Sequence, residues 1–331
     1  MMPFPPPPEP LNAAGEPRRL GFELELAGID TDALCNTVQT TFGGDVEGEG
    51  PFLRHVRGTE LGDFTVEIDT ALLKDRTYLG VLQRLGIETD EAGWRAPLED
   101  LLARLAGTVV PHEVSSGPIA LTHAHEMERL RAALQAAQAR GTRSALRFAF
   151  GLHLNPEVPA LTADSLTRHL RAFLLLRDAL RVDGNIDLTR RLSPFIRDFP
   201  EDYVRRVVAP VYQPDLAGLA RDYARDNATR NRSLDLLPVL AHAAADALPT
   251  AVREDPLLKP RPTFHYRLPN CAIDEPDWTL GEAWRGWVAV ERLAADREAL
   301  DSLAEAYLAH SRAALPGPDE DWAARTRLLL A

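Results

Sequence analysis

Five segments of the chain are predicted to be β-strands, and four of them alternate between hydrophobic and polar residues. In the first, at 18–26, Leu20, Phe22, Leu24 and Leu26 alternate with polar residues or glycine. The other four predicted strands lie at 64–69, 108–114, 147–155 and 264–268. Successive side chains of a strand point to opposite faces of a sheet, so each segment supplies one hydrophobic and one polar face.

Hydrophobic residues three or four apart predict helices between and after these strands. Thr122 and Thr162 are suited to begin two of them, and Gly141 is suited to end the first. Further helices are predicted at 203–208, 234–248 and 279–314. The predicted strands are irregularly spaced along the sequence, which argues against a regular series of parallel βαβ units. The pattern therefore predicts one α+β domain with a helical elaboration over residues 18–331.

Residues 1–17 are rich in proline, with consecutive prolines at 5–8. Proline fixes φ and lacks an amide hydrogen, so we expect this terminus to be extended or disordered. It has neither the basic region nor the apolar core of a signal peptide. No apolar run elsewhere approaches the roughly 20 residues of a membrane helix. We therefore expect a cytoplasmic protein that does not interact with membranes.

Composition narrows the function classes. The 331 residues are 45% hydrophobic and 26% charged, which is typical of a soluble enzyme. A formal net charge of −12 disfavours binding to nucleic acid. Cys35 and Cys271 are far apart in sequence, which indicates neither a disulfide framework nor a thiolate zinc site.

The polar faces of the predicted strands are rich in acidic residues. Together they carry Glu23, Glu25, Glu67, Asp69, Glu113, His153, Asn155, His265 and Arg267. Carboxylates on neighbouring strands repel one another unless a cation lies between them. Two explanations remain open at this point: a face exposed to solvent, which is common in antiparallel sheets, and a site for divalent cations. Many carboxylate oxygens and few imidazoles favour Mg²⁺ or Mn²⁺ over Zn²⁺.

A bound Mg²⁺ is often completed by substrate phosphates, which indicates nucleotide chemistry. The chain contains no GxxxxGK[ST] motif, so a nucleotide would be held by metal ions and arginines. Arg190 and Arg191 lie in an arginine-rich stretch that has two interpretations. They form either an anion-binding loop for a carboxylate or ATP, or a solvent-exposed surface. The nearby pair Asn231 and Arg232 is interpreted as a surface pair before a helix.

Five motifs, in this order, resemble those of the amidoligase family, which belongs with the glutamine synthetase and γ-glutamylcysteine synthetase type of carboxylate–amine ligase. They are GFELE at 21–25, FTVEIDTAL at 64–72, EVSSGP at 113–118, FGLHLN at 150–155 and HYR at 265–267. The resemblance implies a glutamine synthetase-like α+β domain, in which a curved antiparallel sheet forms an active-site funnel and helices pack on its outer face.

The resemblance also implies a reaction and its cofactors. ATP and Mg²⁺ or Mn²⁺ would support an acyl-phosphate intermediate, which an amine attacks to give an amide or isopeptide bond. The substrates would be small-molecule or peptide carboxylates and amines, and the chain would be compatible with a homo-oligomer.

Residue roles follow from the same resemblance. The metal ligands would be Glu23, Glu25, Glu67, Asp69, Glu113, His153 and His265. The catalytic residues would be Arg267 and Glu67. Arg190 and Arg191 are added as catalytic candidates because their arginine-rich stretch could recognise anions, and not because of the resemblance. The nucleotide would be bound by Arg267, His153 and Asn155.

Three positions depart from the family pattern. His265 replaces a carboxylate of an E-x-R motif, Asn155 replaces the second histidine of His-x-His, and Ala71 replaces a serine. These departures keep open a divergent or inactive member, such as a non-catalytic binding protein on a decayed ligase fold. A metal-dependent hydrolase that uses the same carboxylates and His153 is a separate alternative.

Overall fold

An antiparallel sheet organises the protein in a computed structural model, which describes residues 4–48, 53–68, 112–141, 150–186, 197–310 and 319–330. The strands are β1 (Arg19–Leu26), β2 (Asp45–Glu47), β3 (Leu53–Thr59), β4 (Gly62–Ile68), β5 (His112–Ser116), β6 (Ile119–Ala120), β7 (Leu152–Pro156), β8 (Leu234–Asp235) and β9 (His265–Tyr266). Their order across the open sheet is β2-β3-β4-β5-β1-β7-β9-β8, and β6 pairs with β1. The chain therefore has a mixed α+β fold.

Helices occupy most of the rest of the described chain. They are α1 (Thr31–Phe42), α2 (Met127–Ala136), α3 (Ala163–Asp183), α4 (Glu201–Val208), α5 (Leu216–Asp226), α6 (Leu237–Ala243), α7 (Thr250–Arg253), α8 (Leu280–Ala295), α9 (Arg297–Ala309) and α10 (Glu320–Thr326). A 3-10 helix at Leu121–Glu126 leads into α2. Among the residues that the structure describes, no helix is long and apolar enough to cross a membrane.

The hydrophobic core lies on one face of the sheet. Leu20, Phe22, Leu24 and Leu26 of β1 are fully buried, as their alternation predicts. On β9, Tyr266 packs against Phe173 of α3, with ring centroids 6.0 Å apart, and against a tryptophan of α8. Two helices thus cover the core face of β9, and the polar residues of the strands are left on the opposite face.

The segment before β1 is attached to α8. Arg18 and Glu291 are buried and form a bidentate ion pair with two N···O distances of 2.7 Å. The Arg18 guanidinium also donates to the carbonyl oxygens of Glu9 and Glu157, each at 2.7 Å. Nearer the start, the Trp284 indole donates a 2.8 Å hydrogen bond to the Pro5 carbonyl. The terminus is therefore attached to the rest of the described chain at Pro5 and Glu9.

The predicted strands at 18–26 and 64–69 are confirmed within the described residues. The third strand continues to Ser116, two residues beyond its predicted end, because Ser116 pairs with Phe64. Asp69, at the end of the second segment, lies outside the described residues.

Two helix predictions are wrong at their ends. Thr122 lies inside the 3-10 turn and α2 ends at Ala136, well before Gly141. The helix predicted at 234–248 begins at Leu237, because the first two residues pair with β9 as strand β8. Thr162 does cap α3, and its side chain accepts a hydrogen bond from the Ser165 amide.

Candidate active site

Glu23 is at the centre of the polar face. It lies opposite His153 in the β1–β7 register, and its Oε2 is 2.8 Å from His153 Nδ1. The Asn155 side chain donates a 2.9 Å hydrogen bond to the other oxygen, Oε1. Since neighbours two apart on a strand share a face, β7 presents His153 and Asn155 to the same carboxylate.

Glu25 lies two residues along β1 and contacts the other side of His153. Its Oε1 is 3.3 Å from His153 Nε2, and its Oε2 accepts a 2.5 Å hydrogen bond from the Gly151 amide. Across the sheet, Glu25 pairs with Glu113 of β5, which in turn pairs with Glu67 of β4. Three carboxylates therefore lie in one row across three adjacent strands.

His265 brings a second imidazole to Glu23. Its Nε2 lies 3.4 Å from Glu23 Oε2, and its Nδ1 lies 3.7 Å from Asp235 Oδ2 on β8. The His153 and His265 rings meet edge to face with centroids 5.2 Å apart. Neither His265 ring nitrogen has a hydrogen-bond partner within the described part of the chain.

Two groups of residues in this cluster are spaced to bind a metal ion. One consists of Glu23, His153 and His265, and the other of Glu25, Glu113 and His153. Within each group the possible ligand atoms lie within 4.8 Å of one another. The residues present therefore fit divalent cations, since carboxylate oxygens and neutral imidazoles are common metal ligands.

Electrostatics in the cluster favour the forms that bind metals. Burial raises the pKa of Glu23, but the charge of His265 and the hydrogen bond from His153 outweigh it, and this pKa lies well below its usual range. Burial lowers the pKa of His153 to about 3, although the hydrogen bond to Glu23 opposes this shift. At neutral pH, Glu23 is therefore ionised and His153 is neutral.

Arginines surround one end of the cluster. Arg261 Nη2 donates a 2.7 Å hydrogen bond to Asn155 Oδ1 and lies 3.5 Å from Glu23 Oε1. Arg267 donates to the Arg230 carbonyl, and its Nη1 is 3.4 Å from Asn231 Oδ1. Burial lowers the pKa of Arg230, Asp235 opposes this shift, and the charges of Arg267 and Arg261 add to it. Positive charge is therefore concentrated beside the carboxylates.

The structure thus brings together five of the seven predicted metal ligands: Glu23, Glu25, Glu113, His153 and His265. Glu67 lies in the same row of the sheet but belongs to neither group of possible ligands among the described residues. Asp69, Arg190 and Arg191 lie outside the described residues. A freely solvated face is wrong for this region, because only 4% of the His153 side chain and 18% of the Glu23 side chain are exposed.

Sequence reasoning missed Arg261 and Asp235, and it misplaced Arg232. Asp235 was assigned to a helix, although Pro238 marks a helix start just after it. Arg261 lies in a proline-rich connector with no motif around it. Arg232 was interpreted as a surface residue, but it is buried and donates to the Asp198 carbonyl.

Comparison with known proteins adds one match. A family model described as "Putative amidoligase enzyme" matches residues 16–289. The matched range contains the whole cluster, from Glu23 on β1 to Arg267 after β9. No curated protein and no solved structure matches the chain.

Proposed function

Because this chain belongs to the amidoligase family, we propose that it is an ATP- and Mg²⁺-dependent carboxylate–amine ligase with a glutamine synthetase-like active-site funnel. It forms an amide or isopeptide bond through an acyl phosphate. One observation carries the proposal: Glu23, Glu25, Glu113, His153 and His265 come from four strands and converge on one face of the sheet.

The carboxylates and imidazoles of this cluster are the residues that would hold the divalent ions. Such ions, when bound, neutralise phosphate charge and stabilise the charge that develops during phosphoryl transfer. The residues of the chain contribute an ordered site. Asn155 holds Glu23 through a hydrogen bond, and the Gly151 amide holds Glu25. Ligands fixed in this way lose little conformational entropy when they bind an ion.

The arginines are suited to bind the anionic parts of the substrates. A guanidinium presents parallel N–H groups that match a phosphate or a carboxylate. Arg267 lies directly after β9, and Arg261 lies beside Glu23. In the proposed reaction, they orient the γ-phosphoryl group and the substrate carboxylate so that a carboxylate oxygen attacks phosphorus, the bond from phosphorus to the β,γ-bridging oxygen breaks, and ADP leaves.

The second half of the reaction needs no protein nucleophile. The amine nitrogen attacks the acyl carbon and the C–N bond forms. The C–O bond breaks, inorganic phosphate leaves with its electrons, and the proton that the amine loses passes to this phosphate. Both cysteines are buried, Cys35 in helix α1 and Cys271 in the core, so neither is exposed for covalent catalysis. This arrangement favours direct transfer between substrates over an enzyme-bound acyl group.

The experiment that tests the proposal measures ADP and phosphate released by the purified chain with ATP, Mg²⁺ and a metabolite extract. A ligase releases both only when a carboxylate and an amine are present, and mass spectrometry of the mixture then shows a new amide. Product formation that does not need ATP would indicate the hydrolase instead.

A matched variant and a binding assay complete this test. Glu23→Gln removes the ionised carboxylate and keeps the shape of the side chain, so it should abolish ADP release. A decayed binding protein is distinguished by thermal unfolding, because ATP with Mg²⁺ would then leave the melting temperature unchanged. Absence of both the shift and the product would overturn the proposed function.

A further inference from the structure

The two groups of possible metal ligands differ in chemistry. The first offers one carboxylate, from Glu23, and two imidazoles, from His153 and His265. The second offers two carboxylates, from Glu25 and Glu113, and shares His153 with the first. Imidazole suits ions such as Zn²⁺, Co²⁺ and Fe²⁺, whereas carboxylate oxygens suit Mg²⁺ and Mn²⁺. We call the first group the nitrogen-rich centre.

The far ring nitrogens of both histidines also face carboxylates. His153 turns Nδ1 towards Glu23, and its Nε2 lies 3.3 Å from Glu25 Oε1. His265 turns Nε2 towards Glu23, and its Nδ1 lies 3.7 Å from Asp235 Oδ2. Histidines that bind transition metals usually donate their other N–H to a carboxylate, which fixes the tautomer and makes the ligand nitrogen more basic.

His265 is the less well satisfied of the two imidazoles, although its Nε2 lies 3.4 Å from Glu23 Oε2. It is 4% exposed, and neither of its ring nitrogens has a hydrogen-bond partner among the residues that the structure describes. Asp235 Oδ2 is also buried without a hydrogen bond in the described chain. Buried polar atoms of this kind cost free energy unless a ligand satisfies them. An ion on Nε2 would do so, because it would orient Nδ1–H towards Asp235.

We propose that Glu23, His153 Nδ1 and His265 Nε2 form a centre that selects a transition-metal ion of the Zn²⁺, Co²⁺ or Fe²⁺ class over Mg²⁺, with Glu25 and Asp235 positioning the two imidazoles. Any role of this centre in catalysis rests on the metal-dependent function proposed above. A neutral imidazole has one lone pair, so His153 serves one of the two groups at a time. The expected stoichiometry is therefore one transition-metal ion per chain at this centre.

The experiment compares metal binding by the purified, metal-free chain and four variants. Equilibrium dialysis gives the affinities for CoCl₂ and MgCl₂, and the visible absorption of bound Co²⁺ reports nitrogen ligation. His265→Glu converts the nitrogen-rich centre into one with two carboxylates. It should weaken Co²⁺ binding, strengthen Mg²⁺ binding and lower the ratio of the two affinities about tenfold or more.

Two further variants separate selectivity from general damage. His265→Gln removes the imidazole without adding charge, so it should weaken Co²⁺ binding and change the absorption spectrum even if the glutamate variant does not fold. His125→Gln removes an exposed imidazole that contacts Glu126 far from the cluster, and it should leave both affinities unchanged.

Asp235→Asn tests the positioning role. Asn keeps the oxygen that accepts from the Leu237 amide, so the start of α6 is preserved. Loss of the carboxylate should still weaken Co²⁺ binding about 10- to 100-fold, as is usual for such partners of a ligating histidine.

An unchanged ratio of Co²⁺ to Mg²⁺ affinity in both His265 variants would overturn the inference. So would a Co²⁺ spectrum that is the same in the wild-type chain and in His265→Gln. These measurements use neither ATP nor substrates. A chain with the expected selectivity but no ATP-dependent product would contradict the ligase and support the metal centre.

Discussion

Arg261 and Asn155 are joined by a 2.7 Å hydrogen bond that ties a proline-rich connector to strand β7. Asn155 uses its other side-chain atom to donate to Glu23, so the three residues form a chain of contacts. Through these contacts Arg261, which lies outside all of the sequence motifs, helps to position Glu23, the central carboxylate of the candidate site.

We expect Arg261→Ala to raise the KM for one anionic substrate about tenfold or more, because both the charge and the restraint on Asn155 are lost. Arg261→Lys keeps the charge but loses the planar fork, so it should restore only part of the activity. Initial rates of ADP release at varied ATP check this prediction. Arg253→Ala, in the short helix α7, is the control, and equal effects of the two alanine variants would contradict it.

Glu25→Gln should lower turnover about 100-fold or more while the chain stays folded. The amide oxygen of Gln can still accept from the Gly151 amide, so the local backbone keeps its hydrogen bond. The negative charge beside His153 and Glu113 is lost, and with it an oxygen that would bind a metal ion in the proposed function. The rate of ADP release and the circular dichroism spectrum test both parts, with exposed Glu298→Gln as the control. Wild-type turnover in Glu25→Gln would remove this residue from the site.

Arg267→Ala should abolish ADP release, because the substituted side chain can no longer neutralise the transferring phosphoryl group. The hydrogen bond from its amide to the Ser233 carbonyl does not depend on the side chain, so β9 should keep its place. Activity assays alongside thermal unfolding test this expectation. A variant that unfolds early, instead of one that is stable and inactive, would show that Arg267 has a structural role.

The buried pair of Arg18 and Glu291 should matter for stability. Arg18→Met leaves Glu291 as a buried carboxylate whose one remaining donor among the described residues is the Trp287 indole, and should lower the free energy of unfolding by about 3–5 kcal/mol. Urea unfolding measures this loss. The double variant Arg18→Met with Glu291→Leu removes both charges and should recover part of it, so additive losses would contradict the interpretation.

Stability should fall in acid, and His169 should be one cause. Burial lowers the pKa of this histidine, which stacks on Phe264. The unfolded chain takes up the proton near the ordinary pKa of about 6.5, whereas the folded chain does not. The unfolded state therefore binds more protons below that value, and the free energy of unfolding decreases as pH falls.

His169→Gln removes this contribution and should flatten the pH dependence. The check is the difference in the free energy of unfolding between about pH 7.5 and about pH 5.5, measured for both chains. The buried His153 is present in both, so some dependence should persist. An equal difference in the two chains would exclude a role for His169.

Much of the site could be predicted because it depends on strand parity. Glu23 and Glu25 share a face by their spacing alone, and so do His153 and Asn155. Which strands are neighbours could not be read in this way, since that depends on the order of the whole sheet. Sequence alone therefore listed the acidic residues but did not show that Glu23 contacts both histidines.

The features that sequence reasoning missed mostly lack a repeating pattern of hydrophobic and polar positions. Strand β8 has two residues, too few for any alternation, so Asp235 was absorbed into the following helix. Helix α1 is the exception, because its Asp30 cap and the helical spacing of Leu34, Cys35 and Val38 are signals that the sequence does carry. Arg261 has no periodic pattern around it, and only the folded chain brings it to Glu23.

Strand β9 connects the hydrophobic core to the candidate site, so substitutions in the core should affect the site. His265 and Tyr266 are adjacent and point to opposite faces, and the Tyr266 ring lies 5.4 Å from that of Trp287 in α8. Any repacking of this aromatic layer would tilt the two-residue strand and move the imidazole in front of it. Substitutions in this buried layer, although far from any substrate, should therefore change which metal ion the proposed centre prefers. Natural selection would then act on the stability of the interior and on catalysis together.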